Sequence, residues 1–216
     1  MNASIIAVAC VMLGLTLYCV RRDHQPAYVV SKTTLSVIFV VAALLQPHPV
    51  PLYFYMILAG LLFGLGGDFF LALTGKGMFL TGLISFLLGH ILFTVAFFVI
   101  AIPGPAVLPG ILAVIAAGYV VFRWLRPYLG TMEKPVLVYI AVISIMLVSA
   151  LAVLFAPRLS VTARSMIFTG AFLFYLSDLF VARNRFVKKE FLNRLIGLPL
   201  YYAGQFILAF SVGVVG

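Results

Sequence analysis

GLGGDFFLAL (64–73) and FYLSDLFVAR (174–183) are stretches of one kind, apolar and crowded with aromatic or glycine residues, each broken by a single aspartate, Asp68 and Asp178. Neither shows the period-two alternation of a strand. Each lies in a longer apolar run of the roughly 20 residues that a helix needs to cross about 30 Å of hydrocarbon. A charged side chain at that depth costs on the order of 3 kcal/mol or more unless it is paired or hydrated, so both aspartates are functional-site candidates. The chain has only five acidic residues, and two of them stand at matching places in two similar helices.

The rest of the sequence follows the same pattern. Apolar runs near 3–20, 33–46, 50–73, 78–102, 105–122, 135–156, 163–182 and 195–215 give eight candidate helices, the second entered near Tyr28 or later with Lys32 at its mouth. The 216 residues are 65% hydrophobic and 9% charged, with mean hydropathy +1.24, whereas a soluble domain carries about 25% charged residues. Barrel-type alternation is absent, which leaves helices as the way to satisfy the backbone in lipid. The expected fold is therefore an all-α polytopic membrane protein of eight transmembrane helices, one transmembrane domain over 1–216.

A net charge of +9 invites a nucleic-acid reading until the charges are placed on this topology. The linkers after helices 1, 3, 5 and 7 hold twelve basic residues: Arg21, Arg22, Lys32, Lys76, Arg123, Arg126, Lys134, Arg183, Arg185, Lys188, Lys189 and Arg194. The opposite side has two, Arg158 and Arg164. By the positive-inside rule the first set is cytoplasmic and both termini are not. The basic charge is thus topological, with anionic membrane lipid rather than nucleic acid as the expected contact. The first apolar run has no basic residues before it and Arg21–Arg22 after it, which describes a first spanning helix rather than a cleaved signal. Cys10 and Cys19 are nine residues apart, on opposite faces of one helix, and are expected to pack as apolar groups.

Connectors such as QPHPVP (46–51) and IPGP (102–105) are too short for a second domain, and the organisation lies in self-similarity. Arg21 and Lys32 recur 102 residues later as Arg123 and Lys134; Asp68, Phe70 and Ala72 recur 110 later as Asp178, Phe180 and Ala182; Gly89–His90 resembles Gly204–Gln205 at 115. Halves 1–104 and 105–216 would be parallel copies related by an axis along the membrane normal. Such an axis brings the two aspartates together at one depth, near the cytoplasmic ends of their helices.

Gly60, Gly64 and Asp68 share one helix face, and small residues there admit a close neighbour, so Asp68 should face the bundle. Two carboxyl groups held close in a poorly solvated site do not both ionise easily. That suits a general acid beside a carboxylate that guides water or stabilises a cation. The competing reading is a structural aspartate paired with a lysine, and Lys32 stands level with the pair. Lys134 reads as an orientation signal. Arg183 and Asn184, beside Arg185, are candidates for holding a head group. His90 is the one histidine within a span; packed Tyr139 and the YYAGQ cluster (201–205), with Tyr202 and Gln205, complete the candidate binding groups. His24 and His48 fall on opposite sides of the membrane, so three histidines cannot share a metal, and no HExxH, GxSxG or CxxC pattern occurs. No metal or organic cofactor is expected.

At these motifs the chain resembles the YhhN family, whose characterised members are lysoplasmalogenases. The likeness runs through Lys32, the GD-x-F-L stretch (Gly67, Asp68, Phe70, Leu71), SFLLGH (85–90), PVLVYIAVISIM (135–146), SDLFVARNRF with Ser177 at its head (177–186), and YYAGQ. Thr33 stands where the family often has proline, and Gly204 where alanine is common. The resemblance implies hydrolysis of the vinyl ether bond of a lysophospholipid, releasing a fatty aldehyde and a glycerophospho-alcohol, with Asp68 and Asp178 catalytic. It also implies substrate contacts from Lys32, His90, Tyr139 and Ser177, with Arg183, Asn184, Tyr202 and Gln205 beside them. The expected location is a bacterial cytoplasmic membrane, with the site open to the cytoplasmic leaflet. The alternative is a proton-coupled transporter, since parallel repeats and intramembrane acids occur in such carriers. Transporter sites lie near the midplane, whereas this pair reads as close to one surface.

Overall fold

Helices run in order as α1 (Asn2–Arg21), α2 (Gln25–Leu44), α3 (Pro51–Ala72), α4 (Met78–Ile100), α5 (Leu108–Leu129), α6 (Glu133–Leu154), α7 (Val161–Ala182) and α8 (Phe191–Ser211). The computed structural model describes residues 2–75 and 77–216, so Lys76, one of the twelve basic linker residues, lies outside the described residues. No strand occurs among the described residues. Among the described residues seven helical segments are long and apolar enough to cross a membrane, the continuous run Pro105–Leu154, with α5 and α6 in it, counting as one. The chain is a polytopic all-α membrane protein.

Local chemistry explains where the helices begin. The His24 ring accepts a hydrogen bond from the Ala27 N–H at 3.2 Å, and Pro26 follows in the first turn, where its missing N–H is not needed. α2 therefore starts at Gln25. Lys32 is two turns inside the helix and only 5% exposed, not at its mouth as its place in the sequence suggests. Pro51 opens α3, and the Ser160 hydroxyl caps α7 by accepting from Ala163 N–H at 3.1 Å. Between α5 and α6 the backbone turns at Gly130, whose φ of +52° is in the left-handed region that glycine tolerates. The two helices fold back on each other, Gly110 facing Leu151 and Gly118 facing Ile140 and Ser144.

α3 with α4, and α7 with α8, form the two tightest hairpins. A Cβ on Gly89 would stand 3.1 Å from the Gly60 carbonyl oxygen, and one on Gly204 only 2.8 Å from that of Gly170. These backbones approach as closely as small residues allow. The matched pairs are separated by 110 residues (Gly60, Gly170) and 115 (Gly89, Gly204), the same offsets that relate the aspartates and the GH and GQ pairs. α1 and α5 sit outermost, presenting Val11, Leu112, Ile115 and Tyr119 outward, as a perimeter covered by hydrocarbon does. Both cysteines are free, Cys19 buried and Cys10 exposed.

Candidate active site

A cavity of about 780 Å³ enters the bundle from the end where α1 meets α2, α3 meets α4 and α7 meets α8. That volume falls within the usual range for a small-ligand site. Lys32, Asp68, Tyr139, Asp178 and Tyr201 line its inner part, and Leu83, Phe86, Leu125, Ile140 and Ile143 supply an apolar wall. Each aspartate lies four residues before the end of its helix, Asp68 on α3 and Asp178 on α7. The two carboxyl groups therefore face the inner part of one cavity, about one helical turn in from the ends of α3 and α7.

Their surroundings differ sharply. Asp68 is 1% exposed. Its Oδ1 is 2.8 Å from Lys32 Nζ, and its Oδ2 accepts hydrogen bonds from Ser36 Oγ at 2.6 Å and from the Tyr201 hydroxyl at 2.7 Å. Tyr202 braces the pair from behind, donating to the Lys32 carbonyl at 3.1 Å. The spacing is helical throughout. Lys32 and Ser36 are one turn apart on α2, Tyr201 reaches across from α8, and a Cβ on Gly64, one turn before Asp68, would stand 3.0 Å from Gln205 Nε2 and 3.5 Å from the Tyr201 hydroxyl, so glycine there admits α8 closely. Three donors, one of them cationic, fit a carboxylate held as an anion.

Asp178 is 16% exposed on its side chain and, among the described residues, accepts one hydrogen bond, from the Tyr139 hydroxyl at 2.6 Å. His90 Nε2 is 3.8 Å from Asp178 Oδ2, beyond hydrogen-bonding distance, and the ring packs edge-on against Tyr139 and tilted against Phe174. Lys134, the sequence counterpart of Lys32, is exposed at the start of α6 and makes no ion pair among the described residues. The two carboxyl groups thus have unlike partners, a buried ammonium on Asp68 and a phenol on Asp178.

Of the candidate binding residues, Lys32, Tyr139 and Asn184 line the cavity; His90, Ser177, Tyr202 and Gln205 are buried behind its wall. Arg183 binds Glu190 at 3.0 Å and also donates to Asn193, while Asn184 accepts from the Glu190 N–H at 3.3 Å, so both help to close the turn between α7 and α8. Lys188 also pairs with Glu190. The hydrogen bond from Lys188, then that from Arg183, hold the Glu190 carboxyl below its ordinary range. Tyr201, from the YYAGQ cluster, and Arg185, beside Asn184, also line the cavity, and Ser36 with the rim residues Arg21, Lys189 and Arg194 belong to the site without having been singled out by motif. For Ser36 the one available signal was periodicity, since it follows Lys32 by a turn. Among the described residues no three His, Cys, Asp or Glu side chains are grouped to hold a metal.

A model of the YhhN family matches residues 27–212. The chain is similar to a lysoplasmalogenase, TMEM86A of Bos taurus, at 34% identity over 160 residues, covering 72% of this chain and 64% of that protein. The match thus spans somewhat less than two thirds of the relative's length. No solved structure matches.

Proposed function

Since the chain belongs to the YhhN family, we propose that it is a membrane-embedded hydrolase that cleaves the vinyl ether bond of lysoplasmalogen-type lysophospholipids. The observation that carries this reading is the pair of carboxyl groups on one cavity with unlike partners. The reaction consumes one water: a vinyl ether and water give an aldehyde and an alcohol. Its hard step is proton transfer to the alkenyl carbon remote from oxygen, which leaves an oxocarbenium ion. Asp178, with one phenol donor and an open face on the cavity, supplies that proton. Asp68, fixed as a carboxylate by Lys32, Ser36 and Tyr201, stabilises the cation. Water then adds to the cationic carbon and returns its proton to Asp178, and the hemiacetal collapses to aldehyde and glycerophospho-alcohol. One group thereby acts first as acid and then as base, the division of labour known for paired carboxylates in glycoside hydrolysis.

The same reading takes α5 and α6 as separate spans, giving eight in two parallel halves, with the cavity open to the cytoplasmic leaflet and both termini on the far side. Support comes from the twelve-to-two charge bias and the two glycine-packed hairpins at common offsets. The transporter reading is less favoured, because the acids lie four residues from their helix ends rather than near the midplane. Purified protein incubated with a lysoplasmenyl-ethanolamine tests the proposal. Wild type should release free aldehyde, and Asp68→Asn and Asp178→Asn should each lose most of the rate; undiminished turnover in both variants would sink it.

A further inference from the structure

The rim of the cavity carries more positive charge than the site chemistry uses. Arg21 at the end of α1, Arg185 and Lys189 in the connection after α7, and Arg194 in the first turn of α8 all line it, together with Asp23 and Glu190. Glu190 is taken up by Arg183 and Lys188, and Lys32 by Asp68. Among the described residues Arg21, Arg185, Lys189 and Arg194 make no ion pair with a carboxylate. Three of these stack on rings at the rim, Arg21 and Arg185 with their outer edges exposed: the Arg185 guanidinium lies 4.5 Å from the Phe79 ring centre, that of Arg194 4.9 Å from the Tyr28 ring, and that of Arg21 5.7 Å from the Phe191 ring. Stacking of this kind fixes the guanidinium plane while leaving its N–H edges free. Arg194 is half-buried and also lines a small polar notch with Asp23, His24 and Gln25.

Depth agrees with a ligand that reaches from the rim to the carboxyl groups. Arg185 follows Asp178 by seven residues, and Arg194 precedes Tyr201, the donor to Asp68, by seven. Two helical turns are about 10 Å. A lysophospholipid has only a glycerol unit between its chain linkage and its phosphate, and a flexible arginine side chain closes what remains.

We propose that Arg194, Arg185 and Arg21 form a phosphate subsite at the cavity mouth, which takes the head group of a single-chain lipid and places its sn-1 linkage between Asp68 and Asp178. This rests on the hydrolase reading for the nature of the chain, while the subsite itself is read from the rim. Arg183 and Asn184, nearer in sequence to Asp178, do not serve as the phosphate ligands, because both are engaged in the α7–α8 turn.

Binding to non-cleavable analogues tests the subsite independently of turnover. The wild-type protein in detergent is titrated with a saturated 1-alkyl-glycerophosphoethanolamine and with the matching 1-alkylglycerol, which lacks the phosphate. The phosphate-bearing lipid should bind at least tenfold more tightly, since charge-assisted hydrogen bonds are the strong ones. In Arg194→Gln and Arg185→Gln that ratio should fall towards one. A ratio is the readout because a misfolded variant binds neither lipid and yields no ratio, whereas a folded variant lacking only the phosphate contacts keeps its affinity for the alkylglycerol. Inorganic phosphate should displace the lysolipid only weakly; displacement at equal concentration would assign a free-anion site and overturn the head-group assignment. Equal binding of the two analogues by wild type, or an unchanged ratio in both variants, overturns the proposal. Aldehyde release from the vinyl ether substrate, run on the same samples, reports separately on the hydrolase reading.

Discussion

Replacing Lys32 by methionine removes one charge of an ion pair whose side chains are 6% and 1% exposed and 2.8 Å apart. The carboxylate left behind keeps two neutral donors, Ser36 and Tyr201, but loses its counter-ion in a place water barely reaches. Breaking a buried pair from one side typically costs about 3–5 kcal/mol. For a chain of this length, that converts to a fall in melting temperature of roughly 6–20 °C. Neutralising both partners removes the orphaned charge, so Lys32→Met with Asp68→Asn should recover on the order of 1 kcal/mol or more against the sum of the single changes. The assay is thermal unfolding in detergent of the wild type, both single variants and the double variant. A single Lys32→Met variant melting within about 2 °C of wild type, or a strictly additive double variant, would refute the view that Asp68 is held as an anion by Lys32.

Three further outcomes follow from the same geometry. Asp178→Asn should keep the fold and lower the turnover rate by roughly 10²–10⁴, the usual contribution of a positioned proton donor, measured as aldehyde per unit time. Gly204→Ala places a methyl group 2.8 Å from the Gly170 carbonyl and should destabilise by about 1–3 kcal/mol, whereas Gly14→Ala, whose methyl meets nothing within 4 Å, should not; paired melting curves decide it. Glu190 titrates lower in the folded chain than when unfolded, so its contribution is present at neutral pH and lost as the pH falls through its folded value. Amide exchange across residues 183–190 should accordingly quicken on acidification in the wild type, and the quickening should be blunted in Glu190→Gln.

Hydropathy marks helix interiors well and helix ends poorly, and the residues show why. α2 begins at Gln25 rather than near 33 because polar Gln25, Ser31 and Lys32 depress the apolar signal, while His24 and Pro26 supply the cap that starts it. α5 continues through Arg123 and Arg126 to Leu129, since a helix needs no apolar residue once it leaves the hydrocarbon. The aspartates were legible because a carboxyl in an apolar run is costly and therefore conspicuous. Their donors were not. Ser36, Tyr139 and Tyr201 meet the carboxyl groups across helix boundaries, at sequence separations of 32, 39 and 133, and a lone hydroxyl in a helix carries no pattern that names its partner. The twelve basic linker residues were visible as a topology signal, yet which of them are already paired depends on acids met only in the fold: Asp68 takes Lys32, Glu133 takes Arg126, and Glu190 takes both Arg183 and Lys188.

If Asp178 delivers a proton to carbon within this cavity, hydrogen from the solvent must end up on the aldehyde. The purified protein is given a lysoplasmenyl-ethanolamine in heavy water, and the aldehyde is analysed by mass spectrometry. The expected product is aldehyde carrying one deuterium on the carbon next to the carbonyl, formed at a rate that collapses in Asp178→Asn. Aldehyde without that deuterium, or no aldehyde from a well-folded wild type, would contradict it.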